Sequence, residues 1–302
     1  MSSVSFVVPV FNKAKYLKTV IKSLRLQTGN FDKEYIFVND GSTDNSLEIL
    51  QKEIKSLKNC KIISQKNKGS ASATNVGIHA SEMKYIKFLD ADDLIINKTT
   101  LILLNLLEKN KKFILAYGLQ RKVEDISSEK LDDNLKNLNI TYQNNPIKLA
   151  MRNSMFNPSQ FLVRTDICKM VGGCDERVIH SQEYSLTLRL ANIGNFIRLN
   201  YPLAILPMQA PGQISEKKNN QIYRVSKSLE LFIEDNSKLN LNIKLYAQRR
   251  LTARAWRFVR GKKNRAIYFK YFLLYLIGLF RVNINPLKIC GEANKVYKKY
   301  LD

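Results

Sequence analysis

The order of apolar and helical patterns predicts an α/β sandwich with a mostly parallel central sheet, followed by a C-terminal helical region. Three observations carry this expectation. Over the first third of the chain, short apolar runs alternate with stretches of helical spacing, as in strands joined by crossover helices. Each run ends in a polar segment, and ligands of such sheets bind outside the carboxyl ends of the strands. From about Ile222 onward the pattern becomes helical and strongly basic.

The apolar runs at residues 4–10, 35–38, 61–64 and 85–89 read as buried strands, and the segments 15–26, 46–54 and 70–80 between them as helices. A middle region follows, with strands expected at 113–117 and 160–163 around a polar excursion at 124–145. A helix is expected from about Ser181 to Ala191. The domain division that follows is residues 1–215 for the α/β unit and 216–302 for the basic helical region.

With 302 residues, 45% of them hydrophobic and 25% charged, the composition excludes disordered, collagen-like and disulfide-scaffold classes. Four cysteines without a CxxC pair and two histidines argue against structural zinc and for a reducing compartment. The N-terminal apolar run stops at Pro9 with no basic segment before it, so no signal peptide is expected. The greasiest stretch, residues 267–282, contains Lys270 and falls short of the roughly 20 apolar residues of a spanning helix. The expected location is the cytoplasm, with peripheral attachment to the inner face of the membrane kept open.

Charge is the unusual property: 49 Lys/Arg against 26 Asp/Glu give a net +23. Fifteen of those cations and only two acids, Glu292 and Asp302, lie between Lys244 and Asp302. Arg250, Arg254 and Arg257 share one helical face there, interleaved with Trp256, Phe258, Tyr268, Phe269, Tyr271 and Phe272. Such a segment suits an anionic membrane surface, a helical cap with a solvated basic face, or a nucleic acid. No helix-turn-helix, zinc-finger or RNP pattern supports the last, so no nucleic acid partner is expected.

Chemistry concentrates at the strand ends. Phe88-Leu89-Asp90-Ala91-Asp92-Asp93 sets two carboxylates one residue apart, hard oxygen ligands suited to Mg²⁺ or Mn²⁺ on phosphate. An acidic turn with Asp93 as a cap is the plain alternative. Asp40, in Val38-Asn39-Asp40-Gly41-Ser42-Thr43-Asp44, can accept hydrogen bonds from a nucleobase edge or close an Asx turn. Phe11 can stack on a base or fill the core.

Taken with Val7-Val8-Pro9-Val10-Phe11-Asn12, 67–77, Arg164, Gly172-Gly173-Cys174-Asp175-Glu176 and 182–191, these segments resemble family 2 glycosyltransferases of the GT-A fold, a Rossmann-type α/β/α sandwich. The ordered matches span about two thirds of the chain. The resemblance implies inverting transfer of a sugar from a nucleotide diphosphate-sugar, UDP by family weight, to a glycan or lipid-linked acceptor in cell-surface polysaccharide synthesis. It places Pro9, Phe11, Asp40, Asn67, Asn75, Asp90 and Ala91 at the donor nucleotide, and Asp92 with Asp90 at Mn²⁺ or Mg²⁺. It makes Glu183 the base, where relatives carry an aspartate, with Gln182 in a glutamate's place. Read from the residues alone, Ser181 is an N-cap and Glu183 either complements the helix dipole or faces the pocket as a base.

On the acceptor side stand Gly173, Asp175, Glu176 and His180. The glycines equally fit a helix end, the acids a solvated loop, and His180 a packing role. Thr74 replaces a commonly cationic residue, and no histidine follows the catalytic helix near Leu206-Pro207-Met208. Gln182 and Thr74 keep open a nucleotide-sugar-binding protein with impaired catalysis.

Overall fold

A computed structural model describes residues 2–132, 138–180, 182–208, 218–260 and 265–298. The chain opens with β1 (Ser3–Val10), α1 (Ala14–Arg25), β2 (Asp32–Asn39), α2 (Ser46–Glu53), β3 (Cys60–Ser64), α3 (Ser70–Ala80) and β4 (Tyr85–Phe88). Strands β3, β2, β1 and β4 lie side by side and parallel, with Val7 opposite both Ile36 and Phe88. Alternation along β1 explains its unbroken apolar run: Val4, Phe6, Val8 and Val10 meet Leu17, Val20, Ile21 and Leu24 of α1, and Val7 faces the opposite layer.

The second half is β5 (Leu94–Ile95), α4 (Thr99–Lys109), β6 (Phe113–Val123), β7 (Ile140–Gln143), α5 (Ile147–Arg152), β8 (Phe161–Arg164), α6 (Thr165–Met170), α7 (Gln182–Ile193) and β9 (Asn195–Pro207). Here the sheet is mixed. β8 runs antiparallel to both of its neighbours, β4 and β6, and β9 is parallel to β6 but antiparallel to β5 and β7. The parallel arrangement expected from the sequence therefore holds for the first four strands, which are the ones that carry the acidic ends.

Three strands were not expected, among them the two-residue β5. β7 lies inside the polar excursion, its four side chains exposed or half-buried at the sheet edge, so no apolar alternation marks it. β9 carries Arg198, Asn200 and Pro202 within its thirteen residues, and bulges against β6 absorb them.

α3 packs close to β1. A Cβ at Gly77 would lie 2.2 Å from Val7 Cγ1 at the centre of the sheet. Gly77→Ala is expected to destabilise the fold by about 1–3 kcal/mol through overpacking; urea unfolding monitored by circular dichroism checks it.

Four helices complete the chain: α8 (Lys218–Asp235), α9 (Leu241–Val259), α10 (Arg265–Leu279) and α11 (Pro286–Lys298). Ala247, Leu251, Ala255 and Val259 of α9 join the same buried cluster as Tyr184 and Leu188 of α7. Arg250 and Arg254 donate to the carbonyls of Met151 and Arg152, the open C-terminal end of α5. Two of the three arginines expected on one basic face therefore bind the α/β unit, as a helical cap would. The boundary placed at 215 falls at residues 209–217, outside the described residues. Among the described residues no helix is long and apolar enough to cross a membrane.

Candidate active site

The loops after β1 and β2 are tied together. Asn12 accepts from the Thr43 amide at 2.8 Å, and its own amide nitrogen donates to Thr43 Oγ1. Phe11 beside it is 41% exposed, open for stacking. Asp40 is buried, and its two oxygens accept from Gln65 Nε2 at 2.7 Å and from the Lys68 and Gly69 amides at 2.9 Å. It fixes the 65–69 loop, on which Asn67 is exposed. Pro9 is half-buried near the end of β1.

At the end of β4 the chain makes the turn Asp90-Ala91-Asp92-Asp93, closed by the Asp93 amide on the Asp90 carbonyl at 3.0 Å. Ser159 braces it: its hydroxyl accepts from the Asp90 amide at 3.0 Å and donates to Asp93 Oδ2 at 2.6 Å. Beneath the turn Lys87 is fully buried in β4, its ammonium donating to the carbonyls of Phe88 (2.6 Å) and Ser159 (2.7 Å). Burial pulls the Lys87 pKa down to about 7.

Burial first, and then the negative charges of Asp92 and Glu183, push the Asp90 carboxyl up to about 7. Asp93 is held well above the usual carboxylate range by burial and by Asp90. Lys13 reaches over from the loop after β1 and pairs with Asp92 Oδ2 at 2.6 Å. Glu183 stands in the first turn of α7, half-buried, with Ser154 Oγ 3.4 Å from its Oε1. Burial raises its pKa. The fold thus brings Asp90, Asp92, Lys13 and Glu183 from three distant segments close enough to act on one another electrostatically. Ser181, read as the N-cap of α7, lies outside the described residues.

The neighbouring loop is built on Asn75 of α3. Its carboxamide accepts from the Cys174 amide at 2.7 Å and donates to the Cys174 carbonyl at 3.0 Å and to Glu176 Oε1 at 2.7 Å. Asn75 therefore ties α3 to the 173–176 loop. Gly173 has φ +64°, and a Cβ there would lie 2.3 Å from Asn75 Oδ1, so both backbone and space require glycine. Asp175 is buried and ion-paired to Arg177 (2.7 Å) and Arg189 (3.4 Å). The Arg177 hydrogen bonds outweigh the opposing effect of burial and hold its carboxyl below the usual range. His180 Nδ1 is 3.3 Å from Ser70 Oγ, whose hydroxyl donates to Gln182 Oε1 at 2.7 Å. Burial, then the nearby Arg224, lowers the His180 pKa.

Lys13, Lys87, Ser159 and Ser154 were missed by the sequence reading. Only Lys87 carries a signal, a lysine interrupting an otherwise apolar strand three residues before an acidic turn.

Among the described residues no three carboxylate, histidine or cysteine side chains converge on one point. Asp90 and Asp92 nevertheless fit a divalent cation that takes its remaining ligands from phosphate and water, as Mg²⁺ does. The clustered carboxylates need a counter-charge, which Lys13 supplies to Asp92 in this structure.

Residues 5–172 match the family model for glycosyl transferase family 2. A chondroitin synthase of Escherichia coli is 29% identical over 197 residues, 65% of this chain and 28% of that protein. The chain spans less than a third of the length of the curated relatives it matches, 18% and 28% in the first two. Among solved structures, S. aureus TarS 1–349 in complex with UDP-GlcNAc superimposes over 99% of this chain and 91% of that one, with TM-score 0.67 and 16% identity. The mannosyltransferase PcManGT of Pyrobaculum calidifontis, in complex with GDP-Man and Mn²⁺, does so over 98% and 84%, with TM-score 0.58 and 13% identity. With more than half of its length matched by the family model and its sheet laid out as in GT-A structures, the chain belongs to glycosyl transferase family 2.

Proposed function

We propose that the chain transfers a sugar from a nucleotide diphosphate-sugar, UDP-linked in the first instance, to a hydroxyl of a glycan or lipid-linked acceptor in polysaccharide synthesis, with inversion at the anomeric carbon. The observation that carries this reading is the half-buried Glu183 carboxylate at the start of α7, facing the Asp90–Asp92 turn at the carboxyl edge of the sheet. The relatives named chondroitin and hyaluronan synthases and the UDP-GlcNAc complex of TarS support the substrate class.

In this reading Phe11 stacks on the base, and Asp40 acts through the 65–69 loop it fixes. Pro9, Asn67 and Ala91 line the same donor edge. Asp92 and Asp90 would hold Mn²⁺ or Mg²⁺, which neutralises charge on the departing diphosphate. Glu183 takes the acceptor proton as the acceptor oxygen attacks from the face opposite the diphosphate. The anomeric C–O bond breaks with its electron pair going to the diphosphate. Glu176 and His180 border the acceptor, while Asp175 and Asn75 hold that loop in shape around Gly173. The basic C-terminal helices attach the enzyme to an anionic membrane surface.

A thermal-shift series with UDP, GDP, CMP and dTDP, each with and without Mn²⁺, tests the donor reading. Near a hundredfold excess over Kd, ligand binding adds about 2.7 kcal/mol and raises Tm by several degrees. UDP with Mn²⁺ is expected to give the largest rise. A flat response to all four overturns the reading.

A further inference from the structure

Apart from Arg265 and Lys270, α10 is apolar, a composition that calls for cover on more than one face. Its inner face has that cover. Tyr271, Leu274 and Gly278 are buried, and Tyr268, Phe272 and Tyr275 surround Trp256 of α9 with ring centroids 5.3–5.7 Å away. Its outer face does not. Phe269 and Leu273 of α10, and Phe280 just past its end, are 62%, 45% and 71% exposed, with the half-buried Leu276 between them. Val282, Ile284 and Leu287 extend this exposed apolar surface through the turn into α11.

The cations around it are not those the sequence pattern singled out. Arg250 and Arg254 are occupied at α5. Instead Arg281 and Lys288, both exposed, flank the turn next to Phe280 and Leu287, while the exposed Arg249 and Arg260 stand on the α9 side, Arg249 with its Cα near Gly278 and Arg260 over the Trp256 ring at 4.9 Å. The local carboxylate Glu292 is taken by Lys270 and Lys295. No ion pair of the four occurs among the described residues.

We propose that this stripe and its basic rim are the docking surface for an anionic lipid leaflet, with α10 lying in the interface plane. The proposal deepens the membrane reading given above and names the side chains that carry it. Fifteen residues at 1.5 Å each reach about 22 Å, short of the roughly 30 Å hydrocarbon core, so the helix lies on the bilayer. Charge selects the occupant. A second copy of a +23 chain would bring like-charged rims together, whereas anionic headgroups neutralise them. Nucleic acid phosphates would leave the apolar stripe uncovered.

The test is flotation of the full chain with POPC vesicles containing roughly a third POPG, against pure POPC, at about 0.1 M salt. The wild type is expected to float with the POPG vesicles and to stay behind with POPC. Phe269→Ser/Phe280→Ser is expected to weaken that partitioning about tenfold or more. Arg281→Gln/Lys288→Gln should weaken it and flatten its salt dependence. Light scattering and the UDP–Mn²⁺ thermal shift of the same preparations separate this proposal from the donor reading and report folding. No flotation of the wild type overturns the proposal, as does flotation unchanged in both variants. A dimer that the serine variant dissociates, without lipid binding, overturns it in favour of a self-interface.

Discussion

Glu183→Gln is expected to lower kcat by about 10³-fold while leaving the affinity for UDP with Mn²⁺ within about twofold of wild type. Glutamine keeps the size and polarity of the side chain and its approach to Ser154 Oγ, and loses only the capacity to take a proton. A residue that merely complemented the dipole of α7 would instead show a small loss of stability and little loss of rate. The pH profile gives an independent readout. Only the carboxylate accepts the acceptor proton, and burial favours the neutral acid, so the Glu183 pKa lies above its ordinary 4.5. Activity should therefore rise with pH through an acid limb placed above that value, and the limb should vanish in the glutamine variant. Single-turnover kinetics across pH 4 to 8, about the range where such a limb falls, measure both effects. Full turnover in Glu183→Gln would remove the base from the mechanism.

The parts of this site legible in the sequence are those fixed by a local rule. A strand buried on both faces is a continuous apolar run, and whatever follows it lies on the ligand edge, so the runs alone place Phe11, Asp40 and Asp90–Asp92 there. The position of Glu183 in the first turn of a helix was legible, whereas its role as base came from the family resemblance. Contacts between distant segments had no such rule. Lys13 and Asp92 are 79 positions apart, and nothing in either segment announces the other. Ser159, 66 positions from Asp93, is likewise anonymous. The contacts of the α9 arginines were hidden for a related reason: the partners of Arg250 and Arg254 are the carbonyl oxygens of Met151 and Arg152, and backbone acceptors leave no mark in a sequence. The hydrogen bonds of Asn75 to Cys174 and Glu176, 99 and 101 positions away, are likewise unannounced by either segment.

The other large effect is expected at the acidic turn, where Lys13 and a divalent cation contend for Asp92. An ammonium 2.6 Å from Asp92 Oδ2 must be displaced or shared before that oxygen can ligate a metal. Without nucleotide the wild-type protein should therefore bind Mn²⁺ weakly, and Lys13→Gln should bind it several-fold more tightly by titration calorimetry. Asp92→Asn should act in the opposite direction. Loss of outer-shell support alone costs a metal site about 10–100-fold, so loss of a ligand should weaken UDP binding in Mn²⁺ by at least that factor. In EDTA the UDP affinity of Asp92→Asn should match wild type, because the carboxylate then contributes only through Lys13. A purely structural role for Asp92 predicts a different pair of results: equal losses with and without Mn²⁺, together with a lowered Tm. The two variants are informative jointly, since a shared counter-charge role for lysine and metal requires that removing the lysine strengthen what removing the carboxylate abolishes.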